Sequence, residues 1–366
     1  MIAPFAARFK HWKRDRRALW VGYAMIAVAL AVLPFLVDNT LGRTRVRVID
    51  FALIYAMLAL GLNIVVGFAG LLDLGYIAFY AVGAYTWALL ASPQFGLHLP
   101  FWLILPIGFV AAGFFGVLLG APTLRLRGDY LAIVTLGFGE IVRLFLNNLD
   151  HPVNITNGPI GINLIDPVMI GGVSLTKTHE ILGIEFSGTH IYYYLLLLLV
   201  MATIFVCVRL EDSRLGRAWI AIREDETAAQ AMGINTRNVK LLAFAMGASF
   251  GGIAGGLFSS FQGFVSPESF ILLESIMVLC MVVLGGMGHV AGVVLGTFLL
   301  AVLPEVLRHG ASPVQQQLFG KVILDPESLR MMLFGLALIL VMLLRPSGLW
   351  PSPIRRREFA DAKADS

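Results

Sequence analysis

Residues 190–209 read HIYYYLLLLLVMATIFVCVR, and residues 213–233, which follow almost at once, read SRLGRAWIAIREDETAAQAMG. The first stretch is long enough to cross a bilayer, since about 20 apolar residues span its hydrocarbon core. In the second stretch apolar residues recur at helical spacing from Leu215 to Ile222, and charged residues occupy the other side. This succession predicts a membrane protein that holds an amphipathic helix outside the bilayer.

Composition also points to lipid as the solvent around most of the chain. Of the 366 residues, 58% are hydrophobic and only 14% are charged, against roughly 25% charged residues in an ordinary soluble domain. A water-soluble core of this size could not bury so much apolar surface. The net charge of +4 comes from basic residues at helix ends, so it indicates topology and not nucleic-acid binding. Cys207 and Cys280 lie in apolar stretches and are interpreted as packing residues.

Hydropathy predicts an all-α polytopic membrane protein with about ten transmembrane helices. Basic residues precede the first span, which we interpret as a retained signal anchor. The predicted spans are approximately 19–37, 48–66, 71–91, 101–121, 129–147, 190–209, 239–262, 269–288, 290–308 and 328–345. A division into five and five would insert the second half upside down relative to the first, which is the inverted-repeat plan of many transporters.

The basic residues predict which side of the membrane each connection occupies. They concentrate after the fourth, sixth and tenth spans, which places these connections and both termini in the cytoplasm; only Arg43, Arg45 and Arg47 conflict with this. The predicted segments are a basic N-terminus (1–18), spans one to five (19–147), an extracytoplasmic loop (148–189), spans six to ten (190–346) with a cytoplasmic loop at 213–238, and a cytoplasmic tail (347–366).

Glycines cluster in two kinds of place. In 247–256 they recur at every fourth residue, whereas in 67–70 and 285–288 several fall within four residues. Small residues at helical spacing let transmembrane helices approach closely, so helix packing is one interpretation. The other is a pair of broken helices that line a path through the protein, best placed at 67–70 and 285–288.

Polar groups inside the spans are candidates for such a path, because they are costly to bury in lipid. The candidate path residues are Asn63, Asp73, Glu140 and Glu274. Glu140 and Arg143 lie three residues apart on one helix and can pair, either as a structural ion pair or as a substrate contact. Asp129 opens the same span and is interpreted either as its N-cap or as a further charged candidate within the membrane.

The polar stretch 213–233 is predicted to be one helix, capped by Ser213 and ended by Gly233. Its apolar face is expected to continue through Ala228, Ala229 and Met232. Its exposed face is expected to hold Arg217, Arg223, Glu224, Asp225 and Glu226. The acidic run disfavours anionic lipid and favours insertion into a groove on a soluble partner.

Several runs of residues are similar to the LivM-type permease subunits of ABC importers for branched-chain amino acids. The resemblance covers about residues 45 to 350. The runs are LGLNIVVG (60–67), GLLDLG (70–75), LRLRGDYLAIVTLGFGEIVR (124–143), TNGPIG (156–161), GRAW (216–219) with REDE (223–226), GFVSPES (263–269) and VLGGMG (283–288). At 156–161 the chain has Asn157 and Ile160 where the family usually has glycine and asparagine.

The resemblance implies a set of partners in the bacterial inner membrane. They are a second homologous permease subunit, two ABC ATP-binding subunits and a periplasmic binding protein that delivers leucine, isoleucine or valine. The polar helix would be the coupling loop, in which Ala228, Ala229 and Gly233 match the alanine pair and the glycine of the family's motif. The motif's glutamate falls on Thr227, and its downstream Ile-x-Leu-Pro is absent.

The sequence contains no G-x-x-x-x-G-K-[ST], so ATP hydrolysis would have to come from a partner. No catalytic or metal-ligand spacing is found, and no cofactor is predicted. Two other functions stay open at this level. One is the same machine with urea, short amides or other neutral amino acids as cargo. The other is an ion-coupled secondary transporter that uses the intramembrane acids Asp73, Glu140 and Glu274.

Overall fold

The computed structural model describes residues 29–38, 42–123, 126, 128–170, 173–181 and 184–319, with isolated positions between 332 and 350. This part of the chain is mostly helical. The helices are α1 (Ala29–Asp38), α2 (Arg43–Leu62) with a π-helical turn after it (Asn63–Phe68), α3 (Ile77–Leu90), α4 (Phe101–Thr123), α5 (Asp129–Asn148), α6 (Gly188–Glu211), α7 (Arg214–Glu224), α8 (Glu226–Ala231), α9 (Thr236–Gln262), α10 (Leu272–Gly285) and α11 (Val290–Phe319).

Short strands occur only in connections of the described chain. They are β1 (Ile162–Asn163), β2 (Met169–Ile170), β3 (Val173–Ser174), β4 (His179–Ile181), β5 (Ile184–Phe186) and β6 (Phe264–Val265), with 3₁₀ turns at Gly158–Ile160 and Pro267–Phe270. Strands β2 and β3 form one antiparallel hairpin and β4 and β5 another. Strand β1 pairs with the distant β6, Ile162 opposite Val265, and so ties the long connection after α5 to the end of α9.

Five helical segments of the described chain are long and apolar enough to cross a membrane: Thr44–Phe68, Phe101–Thr123, Gly188–Glu211, Thr236–Gln262 and Pro267–Gly285. Helices α1 and α3 and the stretch Val290–Glu305 are shorter but apolar. Helix α5 coincides with the predicted span 129–147 but is not among these five segments. Residues 19–28 of the first predicted span and most of the span 328–345 lie outside the described residues, so the count of ten stays a prediction.

Helix α9 lies at the centre of the described helices and packs against α2, α3 and α4. Its glycines make this approach possible. A Cβ atom on Gly252 would meet Ala112 and the carbonyl oxygen of Gly108, and one on Gly83 would meet the backbone of Gly252. Helix α2 also packs against α6, α10 and α11. The spaced glycines of 247–256 therefore serve close helix packing, in a helix that is unbroken from Thr236 to Gln262.

The described helices have two ends. The loop end holds the connections 91–100, 149–187 and 263–271, which are joined by the β1–β6 pair and by the hydrogen bond from Asp166 N to Ala91 O (2.6 Å). The linker end holds residues 212–235, between α6 and α9. Helix α9 runs from the linker end to the loop end, and α2 runs the opposite way, since Arg47 donates to Gln262 (2.9 Å) at the loop end.

Two predictions of helix boundaries are wrong. The stretch 213–233 is two helices, α7 and α8, because Asp225 adopts an extended backbone (φ −152°, ψ 109°) between them. Its carboxylate accepts hydrogen bonds from Thr227 N and Ala228 N and so caps α8. Asp129 is the first residue of α5 and not its N-cap, since Gly128 occupies that position and no side chain caps the helix.

Candidate functional site

Two helices of half length begin near the middle of the bundle and run in opposite directions. Helices α3 and α10 have 14 residues each. The hydroxyl of Tyr76, just before α3, donates to Gly247 O (2.7 Å), near the middle of α9. In the first turn of α10, Glu274 accepts from the hydroxyl of Tyr55 (2.9 Å), near the middle of α2. From these points α3 continues to the loop end and α10 to the linker end.

The segment before α3, residues 69–76, is not helical, so the predicted span 71–91 is a helix only in its second part. Backbone groups within a membrane must find partners inside the protein. Side chains supply them here. Leu74 donates its N–H to Thr135 Oγ1 (3.0 Å), and its carbonyl accepts from Ser275 Oγ (2.7 Å). The starts of α3 and α10 therefore meet at Leu74, with α5 alongside.

Three of the four candidate path residues lie near this unwound segment. Asp73 is fully buried; its Oδ1 accepts from Gly75 N (2.9 Å), and its Oδ2 has no hydrogen-bond partner among the described residues. Asn63 is also fully buried, in the π-helical turn. Glu274 is half-buried at the start of α10. A buried carboxylate oxygen without a hydrogen-bond partner lowers the stability of the folded protein. Its presence therefore favours a functional role for Asp73.

The fourth candidate, Glu140, lies elsewhere. Its carboxylate accepts from Arg143 Nε (3.0 Å), and Arg143 also reaches Glu268 Oε1 (3.3 Å), in the 3₁₀ turn between α9 and α10. The pairing expected from their spacing is present. Since both partners are partly exposed and Arg143 bridges two elements, we interpret this cluster as a structural ion pair.

A second helix break lies at 286–289, between α10 and α11, and it meets the first one. Gly288 N donates to Asn63 Oδ1 (2.8 Å). A Cβ atom on Gly67 would lie 2.6 Å from Gly288 N, so the two backbones touch. Gly70 and Gly288 both have positive φ angles (69° and 81°), which residues other than glycine rarely adopt. The glycine clusters at 67–70 and 285–288 thus coincide with broken helices, joined through one asparagine.

The linker helices α7 and α8 are held firmly against the bundle. Ser213 caps α7 by accepting from Gly216 N (3.1 Å), as predicted, and Gly233 ends the segment with a φ of 84°. Trp219 is fully buried and donates its indole N–H to Val239 O in α9 (2.7 Å). Glu226 of α8 forms an ion pair with the buried Lys240, which also lies in α9. The pair of helices is therefore fixed to the start of α9.

The exposed face of α7 and α8 differs from the prediction. Arg217, Glu224 and Asp225 are exposed, but Arg223 and Glu226 turn toward the chain's own helices. Ala229 is buried, whereas Ala228 and Met232 are exposed, Met232 by 84%. The predicted apolar stripe was drawn for one continuous helix, and the break at Asp225 rotates its second half.

One buried charge was missed by the sequence reasoning. Asp50 in α2 is fully buried, and neither carboxylate oxygen has a hydrogen-bond partner among the described residues. Its position inside the predicted span 48–66 was the available signal. Being close to the start of that span, just after Arg43, Arg45 and Arg47, it resembles an ordinary helix-end charge.

Half-length helices that meet at mid-depth, unwound backbone satisfied inside the protein and an amphipathic helix pair docked at one end define a membrane transport subunit. The chain belongs to the family described as branched-chain amino acid transport system / permease component, whose model matches residues 44–342.

Relatives carry names of the same kind. The high-affinity branched-chain amino acid transport system permease protein LivM of Escherichia coli K12 is 45% identical over 340 residues, which are 89% of this chain and 75% of that protein. LivM of Salmonella typhimurium LT2 is 44% identical, over 90% of this chain and 74% of that protein. The permease protein LivH of the same Salmonella strain is 26% identical over 82% of this chain and 92% of its own length. No solved structure matches the chain.

Proposed function

We propose that this chain is a permease subunit of an ATP-driven importer for leucine, isoleucine and valine in the bacterial inner membrane. It forms half of a heterodimeric pore with a second, homologous permease. Two ABC ATP-binding subunits drive the pore, and a periplasmic binding protein delivers the cargo. The similarity to both LivM and LivH supports the pairing, because one chain that resembles two permeases named for one transport activity fits a pore built from two related halves.

The observation that carries the proposal is the docked helix pair α7–α8. Its buried side is fixed to α9 by the hydrogen bond of Trp219 and by the ion pair between Glu226 and Lys240. Its other side presents Arg217, Glu224 and Asp225 to solvent. A membrane bundle gains nothing for its own fold from such a polar surface. An amphipathic helix with one buried and one exposed side suits insertion into a groove on a soluble partner. Because the sequence has no P-loop, a soluble ATPase is the partner that makes transport active.

The half-length helices support the predicted five-plus-five inverted repeat. Residues 69–76 connect the π-helical turn after α2 to α3, and residues 263–271 connect α9 to α10. The two connections are of similar length. Both half-helices have 14 residues and start at mid-depth, but they run to opposite ends. The contacts α9–α3, α9–α4 and α3–α4 have counterparts in α2–α10, α2–α11 and α10–α11. A two-fold axis in the membrane plane would relate the two sets.

The cargo path in this proposal runs past the starts of α3 and α10. It is mostly apolar, as suits the side chains of branched amino acids, and Asn63, Asp73 and Glu274 supply its polar groups. Helix N-termini attract carboxylates, and a carboxylate such as Asp73 attracts an ammonium group. The zwitterionic end of an amino acid therefore has complementary partners where the two half-helices meet.

The orientation follows from the linker helices. With α7 and α8 on the ATPase side, the linker end is cytoplasmic and the loop end is extracytoplasmic. The loop of 148–189 then faces the binding protein, and its exposed apolar residues Ile160 and Leu164 (69% and 77% exposed) suit a docking surface. ATP-driven closure of the motor subunits would push α7 and α8 and rock the two halves about the path.

The test is uptake of radiolabelled leucine by a strain that lacks the chain and is complemented with variants. Glu224→Arg and Arg217→Glu reverse exposed charges on α7. We expect each to reduce uptake by about tenfold or more, since like-charge contacts at an interface are strongly unfavourable. The matched control is Arg209→Glu, an exposed arginine on α6 that stacks on Phe205 (5.4 Å).

Two results would contradict the proposal. Uptake that is unchanged in both α7 variants, at equal amounts of permease in the membrane, would remove α7 from the coupling surface. Competition assays address the cargo: unlabelled isoleucine and valine are expected to block leucine uptake, whereas urea and short amides are not. Competition by the amides alone would assign the chain to a different cargo.

A further inference from the structure

Among the described contacts of α7, one charged residue reaches both helix breaks. This residue is Arg223. Its Nη1 donates to the carbonyl oxygen of Gly67 (2.7 Å), in the π-helical turn after α2. The guanidinium therefore satisfies backbone at the point where the regular helix ends. Hydrogen bonds from charged donors are shorter and stronger than neutral ones, so this contact holds α7 against the break.

Glycines make the room that Arg223 occupies. The stem of its side chain lies against Gly70, where a Cβ atom would collide with Arg223 Cγ. On the other side, a Cβ atom on Gly288 would lie 3.2 Å from Arg223 Nη1. Arg223 thus fills a slot between the two unwound segments, and the slot exists because neither wall carries a side chain.

The contact extends from the first break to the second. Asn63, one turn before Gly67, accepts from Gly288 N through its Oδ1 (2.8 Å). A displacement of Arg223 would therefore act on Gly67 directly, and on the 286–289 break both by contact and through Asn63. Unwound segments are the points at which a helix can bend without breaking a regular ladder of hydrogen bonds, so they are suitable places to receive a push.

We propose that Arg223 is the positioning residue through which the linker helices control the linker end of the path. It holds the breaks at 67–70 and 286–289 together in the conformation described, and movement of α7 during the ATP cycle releases or tightens that hold. This inference rests on the proposed function and deepens it, because it assigns Arg223 to the permease's own interior and not to the surface that the ATPase contacts.

The experiment compares variants of the full transporter complex, reconstituted into liposomes with the binding protein outside and ATP inside. Two rates are measured on each preparation, leucine uptake and ATP hydrolysis. Arg223→Met keeps the length and apolar stem of the side chain but loses the donor. We expect the leucine transported per ATP hydrolysed to fall by about tenfold or more, as suits loss of a charge-assisted hydrogen bond, while hydrolysis continues.

Two further variants separate this role from a general structural one. Arg223→Lys keeps the charge but replaces the planar guanidinium group by a compact ammonium group. We expect its ratio of leucine transported to ATP hydrolysed to lie between those of Arg223→Met and the unaltered complex. Arg209→Met removes an exposed arginine at the same end of the bundle, and we expect its ratio to equal that of the unaltered complex.

An unchanged ratio of uptake to hydrolysis in Arg223→Met would overturn the inference, even if both rates fall together. Where Arg223→Met does not assemble, Arg223→Gln takes its place, since glutamine retains a shorter neutral donor, and the same ratio decides. Failure of both to assemble would make Arg223 a folding residue and would also overturn the inference. Absence of ATPase subunits from the unaltered complex is a different result and would instead contradict the proposed function.

Discussion

The glycines of α9 and the glycines at the two helix breaks have the same chemistry but opposite effects on the backbone. In α9 they lie inside one continuous helix and let α3 and α4 approach to backbone contact. At Gly67, Gly70 and Gly288 the helices are interrupted, and the room left by the missing side chains is filled by Asn63 and Arg223. Glycine spacing alone does not separate helix packing from helix breaking.

Substitution in the packing group should have the largest effect on folding. Gly252→Leu places a side chain where Ala112 and the carbonyl of Gly108 already lie, so we expect a cost of about 3 kcal/mol or more and little folded protein. Fluorescence-detected size-exclusion chromatography of solubilised membranes measures this. Gly137→Leu is the matched control, because a Cβ there meets nothing within 4 Å. Equal yields of both variants would contradict the packing role.

Substitution in the break group should lower transport in the protein that still folds. In Gly67→Ala the new methyl group would press on the Asn63 amide and on Gly288 N, so we expect leucine uptake per folded permease to fall by about tenfold. Gly108→Ala, at an open helical position, should retain normal uptake. If Gly67→Ala instead loses folded protein as Gly252→Leu does, the two groups of glycines do not differ in function.

Substitution of Asp73 in the unwound segment 69–76 should have a third, smaller effect, on the rate of leucine uptake. Asp73→Asn keeps an oxygen that can accept from Gly75 N but removes the charge. We expect assembly to stay normal and the rate of leucine uptake to fall by about fivefold, since a charged hydrogen bond to an ammonium group is stronger than a neutral one. Uptake in membrane vesicles at saturating binding protein measures this. An unaltered rate would remove Asp73 from the cargo path.

The smallest effect is expected where a linker helix meets α9. Trp219→Phe keeps most of the buried ring but loses the hydrogen bond to Val239 O, and we expect a loss of about 1 kcal/mol in unfolding free energy. Thermal unfolding of the purified permease measures it. Trp102→Phe, on the exposed face of α4 (66% exposed), serves as its control. A larger loss for Trp102 would mean that the linker helices are only loosely attached.

Much of the fold could be predicted from the sequence, because the bilayer requires long apolar helices and their lengths are visible. Spans such as 101–121 and 190–209 coincide with α4 and α6 to within a few residues. The Ser213 cap, the Gly233 stop and the Glu140–Arg143 pair were also predictable, since each depends on residues a few positions apart.

The site could be predicted only in part, because its contacts join residues far apart in the chain. Nothing local to 223 indicates that its guanidinium reaches Gly67, 156 residues earlier. Arg223 lies before the break, four residues after the buried Trp219 and so on the same side of α7, but the break at Asp225 has no such local sign. Asp225 ends one helix and caps the next, and a run of acidic residues gives no sign of such a division.

The central claim is that this permease works as part of a larger machine driven by separate ATPases. The most direct test is affinity purification of the tagged chain from its native membrane in mild detergent, with mass spectrometry of the proteins that accompany it. We predict a second polytopic permease and P-loop ATPases, with the ATPases lost in Glu224→Arg and retained in Arg209→Glu. Recovery of the chain alone or as a homo-oligomer would contradict the account and favour an ion-driven transporter.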